Sequence, residues 1–297
     1  MNLSLQVRSL PRSTTLNHVE KGSVLLDWLG QAGFLIHYEG LNVIIDPYLS
    51  DSLADKYKGK EFPHVRMMSP PIQPQEVRQL DWVLCTHRHS DHMDPGTLPV
   101  LASVNPACRF IVPRAEQEHA LSMGLTLSCT EFVNAGERLN LGGRVWMEAV
   151  ASAHEQLRVN ARGEHHYLGY ILGFDDIRLY HSGDCVPYQG LGELLLAKQI
   201  DVALLPINGR SEPLRRQGIL GNFTFEEAVE LCQAARIPVL VGHHWGMFDF
   251  NTCDPETLRG QMRTQNKGVA CYFPSTSSSL LCTKVSVHLE ESQLPPP

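Results

Sequence analysis

The sequence predicts an α/β protein of two sheets with helices outside them. Three observations carry this. Two series of short apolar runs each open with Gly- or Asp-broken hairpins and pass into alternating strand and helix patterns. Of 297 residues, 43% are apolar and 19% charged, enough to fill a large core. No internal repeat and no Ser/Gly- or Pro-rich linker divides the chain. A single domain over 1–297 is therefore expected, with its core at about 23–285 and a flexible tail at about 290–297. The first dozen or so residues are the other candidate for disorder.

The runs VLLDWL, FLIHY and NVIID read as antiparallel strands, with turns at Gly30, Gly33 and Gly40-Leu41-Asn42. A polar, Pro-rich stretch over 50–74 reads as a surface loop. LDWVLCT, at 80–86, is nearly continuous in apolar character and predicts a strand buried on both faces. Helices are expected at 98–104 and 114–123, and strands at 109–112 and 144–151. The second half repeats the theme. Strands at 167–172 and 177–181 flank an Asp175-Asp176 turn, and a helix follows at 191–199. Buried strands at 201–206 and 237–242 bracket a helix at 224–235, with Thr224 as N-cap and Glu226 and Glu227 in its first turn. A last helix is expected at 255–265, capped by Asp254.

Composition excludes several classes. No run approaches the roughly 18 apolar residues of a membrane span, and the N-terminus lacks the apolar run of a secretory signal. Lys and Arg number 25 against 32 Asp and Glu, a formal charge of −7, which argues against a nucleic-acid partner. The eight cysteines form no C-x-x-C pair and read as reduced, buried thiols of a cytoplasmic protein. Cys185, beside Asp184, reads as a packed thiol rather than a nucleophile.

The chemistry begins where LDWVLCT ends, at His87-Arg88-His89-Ser90-Asp91-His92. On an extended exit from a strand, residues two apart point the same way, so His87 and His89 can converge on one ion. A following turn can swing Asp91 and His92 toward a second. Imidazole and carboxylate donors suit Zn²⁺ and also Mn²⁺ or Fe. Three other apolar runs end in donors: VWMEAVASAH at His154, IRLYHSGD at Asp184, and IPVLVGHHW at His243 and His244. Strand ends meet on one rim of a layered sheet protein.

In this order, Asp46 after an apolar strand, THRHSDH, a His, the Asp of SGD, and a His before an aromatic resemble the five motifs of the metallo-β-lactamase superfamily, over about Val24 to Phe250. That resemblance implies a four-layer αβ/βα sandwich of two mixed sheets with helices outside and metals at one edge. It implies two divalent ions. His87, His89 and His154 would bind one; Asp91, His92 and His244 would bind the other; Asp184 would bridge them. Asp46 would hydrogen-bond rather than ligate, completing the catalytic machinery with Asp91, which would orient a metal-bound hydroxide. HWGMF places His244 rather than His243 as the donor. His181 fits either the core or a supporting contact, and His165 and His166 lie in a polar loop and read as solvent-facing.

A narrower stretch, Pro206-Ile207-Asn208-Gly209-Arg210, then GNFTFEEA from Gly221, then His244-Trp245-Gly246-Met247-Phe248, resembles the L-ascorbate-6-phosphate lactonase branch over about Tyr180 to Pro255. Ser211, His243 and Gly246 depart from that branch's pattern. The match nominates Asn208 and Arg210 for substrate binding, Arg210 as a bidentate phosphate anchor in a basic loop with Arg215 and Arg216. The expected activity is a lactonase-like, metal-dependent hydrolysis of a small anionic lactone or ester, such as a phosphorylated sugar lactone. A phosphodiesterase is the second reading, and a metal-binding protein without turnover the third. The expected partner is a small anionic substrate, with a homo-oligomer left open.

Overall fold

The computed structural model describes residues 2–9, 21–254, 256–260 and 268–285. The first sheet has eight strands. β1 (Asn2–Ser9), β2 (Ser23–Gly30), β3 (Gly33–Tyr38), β4 (Leu41–Ile45), β5 (Trp82–Leu84), β6 (Arg109–Pro113) and β7 (Thr130–Val133) are joined by β17 (Ser278–Val285), inserted between β1 and β2. The second sheet runs β16 (Ala270–Tyr272), β15 (Val239–His243), β14 (Val202–Pro206), β13 (Ile177–His181), β12 (Leu168–Phe174), β9 (Val145–Ala151) and β8 (Arg138–Gly142). A short ribbon, β10 (Ala153–His154) with β11 (Gln156–Leu157), stands apart. Each sheet is antiparallel in its hairpin part and parallel beyond it, from β4 to β7 and from β13 to β16.

Strand alternation builds the layers. Val43, Ile45, Leu84 and Ile111 face Tyr170, Leu172, Leu179, Val202 and Leu204 across the space between the sheets. Their neighbours point outward. Ile44, Val83, Phe110 and Val112 pack under Leu98 and Leu101 of α2 (Leu98–Val104) and Ala120 of α3 (Gln117–Ser122). Ile171, Tyr180, Ala203, Leu205 and Leu240 pack under α4 (Leu191–Lys198) and α6 (Phe225–Ala234), with the short α5 (Glu212–Arg216) between them in sequence. Because successive side chains on a strand face opposite ways, parallel strands covered on both sides must be apolar throughout. The result is helix, sheet, sheet, helix, as the sequence predicts. Thr224 caps α6 and forms a capping box with Glu227, so the reading of that N-terminus holds.

Several expectations change. The N-terminal residues nominated for disorder include a strand: residues 2–9 pair antiparallel with 278–285. Backbone pairing along an otherwise open edge supplies what their weak pattern did not announce. The stretch 50–74 is not only loop: it forms α1 (Ser52–Lys56), and the Arg66 guanidinium turns inward to donate to the carbonyls of Tyr48, Ser50 and Met68. The helix expected at 114–123 opens as a 3-10 turn, Arg114–Glu116, before α3. Of the helix expected at 255–265, residues 256–260 are helical, while 255 and 261–265 lie outside the described residues, as does the expected tail at 290–297. Among the described residues, no helix is long and apolar enough to cross a membrane.

Candidate metal centre

The donors meet because strand ends do. β4 and β5 pair in register through Ile45 and Leu84, and β14 and β15 through Pro206 and His243. Asp46 therefore follows one strand at the level where Thr86 and His87 leave the next. Asp184 and His244 follow β13 and β15 at the facing rim, and His154 ends β10. The backbone of His92 and of Met93 donates to the His89 carbonyl at 2.9 and 2.7 Å. That turn carries Asp91 and His92 away from His87 and His89. Two donor sets result: His87, His89, His154 and Asp184, and Asp91, His92 and His244, each with its donor atoms within 4.8 Å of one another.

Asp184 lies between the sets. Its Oδ1 is 3.2 Å from His92 Nε2 and 3.2 Å from His244 Nε2, and its Oδ2 is 3.7 Å from His154 Nε2. Asp91 Oδ2 lies 3.7 Å from His92 Nε2 and 3.6 Å from His244 Nε2. All seven residues predicted from sequence as donors are in this cluster.

Asp46 sits behind it, fully buried. His92 Nδ1 donates to Asp46 Oδ2 at 2.7 Å, and Thr86 donates from its backbone N and its hydroxyl at 2.8 and 2.7 Å. With its proton given to Asp46, Thr86 Oγ1 is left to accept from His87 Nδ1 at 3.0 Å. Both imidazoles thus spend Nδ1 on the support and aim Nε2 into the cluster. There His87 Nε2, His92 Nε2 and Asp184 Oδ1 are buried without hydrogen-bond partners. Buried polar atoms left without partners in this way are rare unless something else satisfies them. Buried, convergent imidazole and carboxylate atoms fit a divalent cation.

The electrostatics divide the cluster. Burial pushes His87 well down and holds His154 down at about 4, so both stay neutral near pH 7. Burial also opposes charge on His92 and His244, but the carboxylates of Asp184, Asp46 and Asp91 overcome it at His92, and those of Asp184 and Asp91 raise His244 to about 9. Asp91 and Asp184 are both lowered: burial works against it, and the facing imidazoles win.

His243 and His181 are packing and support residues. Their rings stack at 4.8 Å, and His243 meets Phe34 edge-on at 5.8 Å. His181 donates from Nε2 to the Ala32 carbonyl at 2.8 Å and accepts at Nδ1 from Gly183 N at 3.0 Å, tying the turn before Asp184 to the β2–β3 turn. His165 and His166 are not simply solvent-facing. Each is half-buried, His165 Nδ1 lying 3.1 Å from Asn134 Oδ1 and His166 Nδ1 2.6 Å from Glu116 Oε1. Cys185 is buried, its thiol raised by burial to about 11, which removes it as a nucleophile at neutral pH. All eight cysteines are free.

Neither substrate-binding nominee belongs to the donor cluster. Asn208 donates to Asn251 Oδ1 at 2.8 Å and accepts from Asn222 Nδ2 at 3.1 Å. Arg210 gives both terminal nitrogens to Glu227, at 2.6 and 2.5 Å, and one also to the Asn222 carbonyl at 3.0 Å. The guanidinium nominated as a phosphate anchor is thus paired with a carboxylate of α6.

Sequence reasoning missed Gln31. It sits in the turn between Gly30 and Gly33, almost fully buried, with φ +50. Its Nε2 donates to Asp91 Oδ2 at 2.8 Å and lies 3.1 Å from His244 Nε2. A polar residue enclosed by a Gly-x-x-Gly turn at a strand end was the available signal. Tyr167 was also missed; its ring packs 5.3 Å from both His87 and His154.

Comparison with known proteins agrees with this geometry. Residues 41–245 match the family model described as a beta-lactamase superfamily domain. The chain therefore belongs to the metallo-β-lactamase superfamily, and its class is the metal-dependent hydrolases of that superfamily. It is 29% identical over 221 residues to a UPF0173 protein of Pyrococcus abyssi, covering 74% of this chain and 83% of that one. It is 25% identical over 249 residues to the N-acyl-phosphatidylethanolamine-hydrolyzing phospholipase D 1 of Caenorhabditis elegans, covering 80% and 67%. Among solved structures, Igni18, a metallo hydrolase of Ignicoccus hospitalis, aligns with a TM-score of 0.64 at 18% identity, over 87% of this chain and 98% of the other, which speaks to the fold.

Proposed function

We infer that the protein hydrolyses a small anionic lactone or ester, such as a phosphorylated sugar lactone, with two divalent cations, Zn²⁺ or Mn²⁺. The observation that carries this reading is the position of Asp184, with Oδ1 at 3.2 Å from both His92 Nε2 and His244 Nε2 and Oδ2 turned to His154. A carboxylate so placed serves two sites at once. Cations there would lower the pKa of water toward neutrality and polarise the scissile group. His87, His89 and His154 would hold one cation and Asp91, His92 and His244 the other. Asp91, kept ionised by the facing imidazoles, would orient the attacking hydroxide. Asp46 keeps His92, and through Thr86 also His87, aimed at the cluster. Likeness to the L-ascorbate-6-phosphate lactonase branch supports a lactone substrate.

Phosphodiester hydrolysis is the second reading, favoured by the similarity to the nematode phospholipase D over 80% of this chain. The exposed Leu157 and Val159, three and five positions after His154, add apolar surface suited to a lipid. The deciding experiment measures kcat/KM for a phosphorylated sugar lactone, its unphosphorylated analogue, bis(p-nitrophenyl) phosphate and a phospholipid, under Zn²⁺ and under Mn²⁺. A preference of at least tenfold for the phosphorylated lactone is expected. Turnover confined to the phosphodiesters would establish the second reading, and no turnover by metal-loaded protein would leave a binding protein.

A further inference from the structure

We propose that Arg158 and the Tyr167 hydroxyl together seat the anionic group of the substrate, a phosphate, beside the face of the centre made by His87, His89 and His154. This rests on the anionic-substrate reading above and moves its anchor from the Arg210 loop to the ribbon that follows His154.

The backbone of the ribbon aims the side chain. Leu157 pairs with Ala153, Val159 bridges to His165, and the Arg158 carbonyl accepts from His166 N at 3.0 Å. Leu157 and Val159 both stand exposed. On an extended segment the residue between them points the other way. Arg158 accordingly reaches the Tyr167 hydroxyl and hydrogen-bonds it. The Tyr167 ring is itself buried against the donors, 5.3 Å from His87 and from His154 and 6.1 Å from His89. A single aromatic side chain thus separates the guanidinium from the centre.

The charge there is uncommitted. The carboxylates around the ribbon are already taken: Glu155 by Arg215 at 2.7 Å, Glu164 by Arg162 at 3.1 Å and Glu116 by His166 at 2.6 Å. Among the described residues, Arg158 is left without an ion pair. Arg88, between His87 and His89, is unpaired in the same sense and adds its charge on the Tyr167 side. Arg210, by contrast, is neutralised by Glu227. A guanidinium has only N–H donors, so the phenol oxygen accepts from Arg158 and keeps its own proton for another acceptor. Free N–H groups and a free O–H side by side match the several acceptor oxygens of a phosphate.

The test is calorimetric binding of two probes, glucose 6-phosphate and vesicles containing phosphatidic acid, to Zn²⁺-loaded protein. Wild type, Arg158→Ala, Arg158→Lys and Tyr167→Phe are compared, with bound Zn²⁺ counted by elemental analysis. Arg158→Ala should weaken binding of a phosphate probe about 10- to 100-fold at unchanged metal content, the worth of charge-assisted hydrogen bonds. Arg158→Lys should recover part of the loss, since a point charge lacks the planar fork, and Tyr167→Phe should lose part. A loss on glucose 6-phosphate assigns the anchor to a soluble substrate, and a loss on the vesicles alone assigns it to a lipid headgroup. Absence of binding by wild type, affinity of Arg158→Ala within twofold of wild type for both probes, or a loss that follows departure of the metal would overturn the proposal. Arg158-dependent binding of glucose 6-phosphate, with no phosphorylated lactone turned over by wild type, would overturn the lactonase reading and keep the anchor.

Discussion

Asp46 accepts the Nδ1 proton of His92 across 2.7 Å, with both side chains wholly inside the protein. This contact decides which face of His92 meets the donor cluster, and Thr86 extends the same control to His87. The site is aimed from behind, by Asp46 after β4 and by Thr86 at the exit of β5, next to His87 itself.

Replacing Asp46 by Asn should therefore weaken ion binding while leaving every donor in place. The amide can accept at one position only, so the three donors at 2.7–2.8 Å cannot all be served. The expected loss in affinity is about 10- to 100-fold, the usual consequence of removing such a support. Calorimetric titration of stripped protein measures it, and affinity within twofold of wild type would contradict the role.

Asp184→Ala should release at least one ion and lower turnover by more than about 100-fold, because a donor shared by two sites weighs more than one outer partner. Elemental analysis and circular dichroism together separate ion loss from unfolding. His244→Ala should also release an ion. His243→Ala should not: the ring is stacked on His181 away from the donors, so its removal opens a cavity and costs about 2–4 kcal/mol of stability, read by denaturant unfolding.

The pH response follows from His244, raised to about 9 in the protein against about 6.5 when unfolded. The protonated form is the stabilised one. Its contribution in chelator-stripped protein is complete below about pH 6.5 and is lost as pH rises through about 9. Ligation demands the neutral ring, so ion uptake should release protons near pH 7 and strengthen toward pH 9. Titrations in buffers of different ionisation enthalpy count those protons. No proton release at pH 7 would show that His244 is already neutral there.

Arg210→Ala should act on the loop rather than on a phosphate. Its fork is filled by Glu227, so the variant should lose about 1 kcal/mol or less and affect phosphorylated and plain substrates alike. A rise in KM confined to the phosphorylated substrate would restore the anchor role.

The donors were legible because each follows an apolar run, and a buried parallel strand ending at a rim leaves its next polar residue little choice of direction. The order of these runs was enough to carry the resemblance, and the alternation of strand and helix was enough to imply the layers. The strand at Asn2–Ser9 was not legible, since an edge strand takes its order from the backbone of its neighbour. Tyr167 was not, because nothing local distinguishes an aromatic residue that meets the cluster from one that does not, and for Gln31 the one local signal was its place inside the Gly30–Gly33 turn, which does not say what the side chain meets.

The sequence by itself determined the apolar runs that deliver His and Asp to strand ends and the two-sheet architecture, which follow from short-range spacing and the period of strands; the division of the donors into two sets came with the resemblance those motifs carry. Only the tertiary structure decided that His244 rather than His243 faces Asp184, that Arg210 spends its charge on Glu227, and that Gln31 reaches Asp91 across 60 positions of chain. These are choices among contacts distant in sequence. They depend on which side chains the packed sheets bring within hydrogen-bond reach, and no local pattern encodes that distance.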